Sequence, residues 1–336
     1  MKPTSARSLP PKLSIVAVRG LWQALWHAMM AQLAPTDRGG AYVRPTSQFR
    51  NYVSRADGAS FPAATGRYRL YVGKSCPWAH RTLLTRALKG LEGAISVTFV
   101  SANAAAGGWI FDRPHRGCDT LAQFYRRAQP GYRGRATVPV LWDEHAQAIV
   151  NNESAEIIVM LNAEFDEFAR HPECNLYPLD LQVDIDHWNE RIYNAVNNGV
   201  YRCGMAQSQT AYDDACAELF AMLDELDATL ATRRYVCGDR ITLTDVRLFP
   251  TLIRFDAAYY GLFKCNRRRI CDYEHLGPYL RDIYQLPGVA ATCDLEAIVR
   301  DYYGNLFPLN PGGIIPAPPD RSYLFAPHQR ESCLTS

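Results

Sequence analysis

The stretch at residues 67–89 constrains the fold more than any other, because it sets a single cysteine between a strand and a helix. Leu70 and Val72 alternate with polar or aromatic neighbours, which predicts a strand; Gly73, Lys74 and Ser75 break it, and an apolar pattern at helical spacing follows. Pro77 suits the first helical position, where its missing N–H leaves no bond unmade, and Leu83, Leu84, Ala87 and Leu88 form the stripe the helix would bury. Cys76 therefore stands where a helix begins. Unpaired N–H groups and the positive helix end favour thiolate over thiol there, which predicts a nucleophile near neutral pH. A lone cysteine is more often a small buried hydrophobe; the surrounding strand, turn, proline and helix point to chemistry instead. Ala79 occupies the place where a Cys-x-x-Cys motif would carry its second thiol, so a disulfide formed at Cys76 must be resolved by a thiol from solution.

At 336 residues the chain has room for two domains with separate cores. A net charge of +2, with no basic stripe interleaved with aromatics, gives no case for nucleic acid. The 10 cysteines are scattered and never form Cys-x-x-Cys, which suggests neither a zinc site nor a disulfide scaffold and favours a reducing compartment, read here as the cytoplasm. Residues 1–36 carry Lys2, Arg7, Lys12 and Arg19 and no acid, and their apolar run is interrupted by Arg19, Gln23 and His27. That run is too broken for a membrane span. A transit peptide, a helix on a lipid surface and a misread start ahead of Met29 or Met30 all fit this segment. Residues 36–62 read as an arm over the surface.

Beyond the Cys76 helix, residues 95–100 alternate as a second strand, and residues 104–136 form a long Gly- and Arg-rich connection able to hold a helix at 119–127. Residues 137–142 predict a third strand in which Pro139 marks an edge, a turn or a cis bond. A short strand at 148–150 and a helix at 152–161 complete the order of the thioredoxin fold. After a linker at 163–178 the pattern is helical only, at 181–195, 210–231 and 243–255. Thr242 and Asp245 have capping-box spacing, with Ile241 and Val246 placed as a staple. Residues 308–319 read as an extended Pro- and Gly-rich tail. The expected organisation is an extension and arm at 1–64, a thioredoxin-like α/β domain at 65–163, an all-helical domain at 178–300, and a tail at 301–336.

Seven motifs in order carry a resemblance. They are Ser75-Cys-Pro-Trp-Ala-His-Arg-Thr82, Thr137-Val-Pro-Val-Leu-Trp-Asp143, Asn152-Glu-Ser-Ala-Glu-Ile-Ile158, Asn197-Asn-Gly-Val-Tyr201, Arg254-Phe-Asp256, Phe263-Lys-Cys-Asn266 and Asn310-Pro-x-Gly313. Together they resemble the glutathionyl-hydroquinone reductases, the xi-class glutathione transferases, over about residues 49–316. Leu262 departs from the histidine expected before Phe263. The resemblance implies glutathione as co-substrate, no metal, glutathionyl-hydroquinone conjugates as substrates, and a homodimer built from the helical domains.

It further implies that Cys76 is the nucleophile, that Glu153 and Ser154 hold the γ-glutamyl end, and that Val138 before Pro139 pairs its backbone with the tripeptide. A helix N-terminus suits the γ-glutamyl carboxylate, and a carboxylate suits its ammonium. Glu153 could equally be a plain first-turn acid. Trp109 would cover glutathione, with core or lid packing as the alternative, and Arg135 would meet a glutathione carboxylate. Tyr201 and Tyr302 would donate hydrogen bonds to the ring oxygens of an aromatic substrate, a structural role being the alternative for each. An omega-like thiol transferase or dehydroascorbate reductase, and a non-enzymatic glutathione-binding module, are the competing readings. None of these roles uses anything before Phe49.

Overall fold

The computed structural model describes residues 11–331; Lys2, Arg7 and Cys333 lie outside them. A six-stranded sheet in the order β4-β3-β2-β1-β5-β6 is followed by a helical array. The strands are β1 (Tyr68–Gly73), β2 (Ile95–Asn103), β3 (Gly108–His115), β4 (Cys118–Thr120), β5 (Val140–Asp143) and β6 (Ala148–Asn151). β1 lies inside the sheet, parallel to β2 and antiparallel to β5, with Leu70 opposite Val97 and Leu141. Both of its faces are covered, because Tyr68, Leu70, Tyr71 and Val72 are all buried. α2 (Pro77–Leu88) and α4 (Ser154–Ala163) pack against each other, and α3 (Leu121–Ala128) packs on β3 and β4.

Two expectations need correction here. Residues 104–136 hold the β3 and β4 hairpin as well as the helix, which opens on a Thr120–Gln123 capping box. Phe111 is the one buried residue of β3, so the strand lacks the alternation that announces a buried strand. The third strand starts at Val140 rather than residue 137, because the Val138–Pro139 peptide is cis and turns the chain before it joins the ladder.

The helical part comprises α5 (Gln182–Ile192), α6 (Gly199–Met205), α7 (Gln209–Leu230), α8 (Leu243–Arg254), α9 (Tyr260–Leu262), α10 (Leu276–Gln285) and α11 (Leu295–Asn305). π-helical turns at Tyr193–Asn197 and Phe255–Tyr259 continue α5 and α8. Sequence periodicity predicts α5, α7 and α8 and misses α6, α10 and α11. The capping box at α8 is buried: Asp245 accepts from Thr242 N at 2.8 Å, from Val236 N at 3.1 Å and from the Tyr279 hydroxyl at 2.7 Å. Its work is to tie α8 to α10. Residues 313–320 join no helix or strand.

α1 (Pro11–Leu33) has two unlike ends. Ile15, Val18, Leu21 and Leu25 face outward, whereas Met30 and Ala34 are buried in the helical core and the Trp26 indole donates to the Pro308 carbonyl at 2.9 Å. No helix among the described residues is long and apolar enough to cross a membrane.

Candidate active site

Cys76 is the N-cap of α2, with extended backbone (φ −77°, ψ 120°) and Pro77 at the first helical position. Its N–H donates to the Gly73 carbonyl at 3.0 Å, closing the turn, and its carbonyl accepts from His80 N at 3.0 Å. The part-exposed thiol points at the Val138 carbonyl, 3.7 Å away.

Burial pushes this thiol up from its ordinary value, against the pull of the Ala79 and Trp78 N–H groups and the positive Arg254 and Arg44. The helix-end N–H groups pull toward the thiolate, as the sequence leads one to expect, while burial opposes them. At this thiol desolvation outweighs the donors.

Arg254 reaches this turn from the other domain. Fully buried, it donates to the Ser75 carbonyl at 2.8 Å, the Lys74 carbonyl at 3.0 Å and His80 Nδ1 at 2.9 Å. An arginine can only donate, so His80 Nδ1 must accept and Nε2 must carry the proton, which reaches Thr292 Oγ1 at 2.8 Å. Burial and the neighbouring guanidinium hold His80 well below its usual range, so the ring is neutral. The Cys76 turn is thus clamped by a hydrogen-bonded chain spanning both domains.

Two cavities share a wall around this cysteine. One, of about 270 Å³, is lined by Cys76, Trp109, Arg135, Val138, Tyr201 and Tyr302; the other, of about 260 Å³, by Arg135, Val138, Pro139, Glu153 and Ser154. Every site residue expected from sequence therefore borders one or both. Glu153 also caps α4, its Oε1 accepting from Ala155 N at 3.1 Å, while Oε2 accepts from the Ser47 hydroxyl at 3.0 Å. Trp109, paired with Ala102 across β2 and β3, presses on Gly73 so closely that a Cβ there would sit 2.2 Å from its ring. That explains the glycine at the end of β1.

The Tyr302 hydroxyl lies 2.6 Å from that of Tyr201 and 2.9 Å from that of Tyr259. Burial pushes Tyr201 and Tyr302 well above the ordinary phenol range and Tyr259 to about 12, so all three stay protonated. Sequence reasoning misses Tyr259, which sits in the π-turn within an aromatic run that reads only as core. It also misses the end of α1 and the arm: Leu33, Ala34, Tyr42 and Arg44 line the same cavity as Cys76, so residues before Phe49 do belong to the site. Among the described residues, no group of three or more His, Cys, Asp or Glu could hold a metal ion.

Family models for the glutathione S-transferase N-terminal and C-terminal domains match residues 75–164 and 209–285. Glutathionyl-hydroquinone reductase YqjG of Escherichia coli is 44% identical over 329 residues, covering 94% of this chain and 98% of that one. The chain belongs to the glutathionyl-hydroquinone reductase family. Among solved structures, a xi-class glutathione transferase of Natrialba magadii superposes with a TM-score of 0.81 at 46% identity, covering 85% of this chain and 89% of that one. The glutathione-bound structure of YqjG gives 0.80 at 45% identity, covering 84% and 96%. Within this reductase family the fold order is the one described above: a thioredoxin-like domain, then a helical one.

Proposed function

We propose that the protein reduces glutathionyl-hydroquinones to hydroquinones at the expense of glutathione. The observation that carries this reading is a thiol at a helix N-terminus sharing one cavity with a cluster of protonated tyrosines. The Cys76 thiolate attacks the sulfur of the conjugate's keto tautomer, forming an S–S bond and breaking the bond from sulfur to ring carbon. The released electron pair moves through the ring onto the carbonyl oxygen, which takes a proton. Expelling an aryl carbanion would be prohibitive, so this route needs donors at the ring oxygen; Tyr201 and Tyr302 supply them without bringing charge. A second glutathione thiolate then attacks the mixed disulfide, giving oxidised glutathione and free Cys76.

Glu153 and Ser154 with the α4 N-terminus would hold the γ-glutamyl end, and Val138 would pair with the tripeptide backbone. Trp109 would cover it and Arg135 would meet a carboxylate. Residues 65–163 and 178–300 form the two working domains in this reading. A homodimer joined through the helical domains and a cytoplasmic setting belong to it as well. Assaying the purified protein with a glutathionyl-hydroquinone and with dehydroascorbate tests the reaction. Turnover of dehydroascorbate alone would favour the omega-like alternative, and turnover of neither would leave a glutathione-binding module.

A further inference from the structure

The arm crossing the mouth of the site carries a cation with no acidic partner among the described residues. It is fastened to the helical domain by the Ser208 hydroxyl, donating to the Gly39 carbonyl at 2.8 Å, and by Gln207 N, donating to Gly40 at 3.1 Å. On the sheet side, Phe49 N donates to Asn152 Oδ1 at 3.1 Å and Asn51 N to the Val150 carbonyl at 3.0 Å. Between these anchors, Arg44 borders both cavities. Its guanidinium lies over the Trp78 ring, 3.8 Å from the centroid, and makes no hydrogen bond or ion pair with a described residue.

The acids bordering the cavities are engaged elsewhere. Glu153 is taken by Ser47 and Ala155 N, and Asp301 by Arg300 at 3.1 Å. Stacking on an aromatic face holds a guanidinium plane while leaving its edge donors free, and that edge matches a carboxylate. With the γ-glutamyl carboxylate assigned to the α4 N-terminus, two anions remain for Arg44 and for Arg135, which also borders both cavities: the glycyl carboxylate of glutathione, or an acid carried by the aromatic ring.

We propose that Arg44 is a specificity-determining residue that binds a carboxylate of the conjugate at the junction of the two cavities. The inference rests on the function proposed above. It is tested with full-length wild-type, Arg44→Met and Arg44→Lys proteins against a parent conjugate, its glycine amide, and a conjugate with a ring carboxylate. Binding to each is measured by calorimetry alongside kcat/KM. Losing a charge-assisted pair should weaken the matching carboxylate about 10- to 100-fold, mainly in KM, with partial recovery by lysine. If the glycyl group is read, the amide costs wild type as much as Arg44→Met costs the parent, and the amide then loses nothing further in the mutant. If the ring acid is read, the loss is confined to the ring-carboxylate conjugate. A change within twofold on every ligand, or an equal loss on all of them, overturns the proposal. Absence of wild-type turnover would sink the proposed reaction alone, since the binding contrasts would still be read.

Discussion

In the sheet domain Cys76 and Glu153 reach the site from the start of a helix, and Val138 from the cis turn ahead of β5. Tyr201, Tyr259 and Tyr302 come instead from three helical segments of the other domain and meet through hydroxyls 2.6 and 2.9 Å apart. The first group works largely through backbone: a helix N-terminus, a cis peptide and a cap. The second works through side chains whose value depends on remaining protonated in a buried place. In the proposed reaction one face holds a tripeptide and its sulfur, and the other delivers protons to a ring.

The largest expected effect falls on the sheet face. Cys76→Ser should lower turnover at least about a thousandfold while leaving glutathione binding by calorimetry intact, since a hydroxyl is a poor nucleophile toward sulfur. Near-normal turnover would break the comparison at its root. Next comes the tyrosine face: Tyr302→Phe should cut turnover of a glutathionyl-hydroquinone about a hundredfold. A small disulfide substrate, whose leaving thiolate needs no ring proton, should lose far less. Equal losses on both substrates would make the tyrosines packing groups.

The two faces should also differ with pH. Because burial pushes the Cys76 thiol up, its alkylation in the free enzyme, followed on the Cys76 peptide by mass spectrometry, should keep rising with pH beyond the ordinary cysteine value of about 8.5. A folded-state value above the unfolded one also means that this group's contribution to stability is present below the unfolded value and is lost as pH rises through the folded one. The tyrosines, held above the ordinary phenol range by burial, should add no step below about pH 10. An alkylation plateau below pH 8 would reverse the balance between burial and donors.

A chain starting at Met29 keeps Met30 and the arm but loses Trp26 and its bond to Pro308. It should fold and turn over substrate, with stability lower by about 1–2 kcal/mol in denaturant titration. The smallest effects belong to Cys203, Cys237 and Cys265, buried in the helical core. Replacing each by serine should change turnover less than about twofold. Abolition of the Cys76 mixed disulfide by one of them would reveal a resolving thiol.

The same contrast explains what the sequence discloses. Cys76, Pro139 and Glu153 are announced by local rules, because proline, a break before an apolar stripe and a polar first turn act on their own neighbours. Tyr259 and Arg44 obey no local rule. Tyr259 lies where α8 widens into a π-turn, and Arg44 lies in a stretch without periodicity whose position is set by bonds to Gln207, Ser208, Val150 and Asn152. Trp109 falls between: its motif is visible, but only its contact with Gly73 gives the ring a place.

Arg254 gives this architecture a mechanical meaning. Its guanidinium, rooted in the helical domain, grips the carbonyls of Lys74 and Ser75 immediately ahead of the reactive sulfur. The thioredoxin-like half is therefore not a portable catalyst: cut free, it would keep its cysteine but lose the grip that shapes the turn beneath it. The backbone that carries the Cys76 sulfur is thus shaped by both halves and keeps this form only while they are docked.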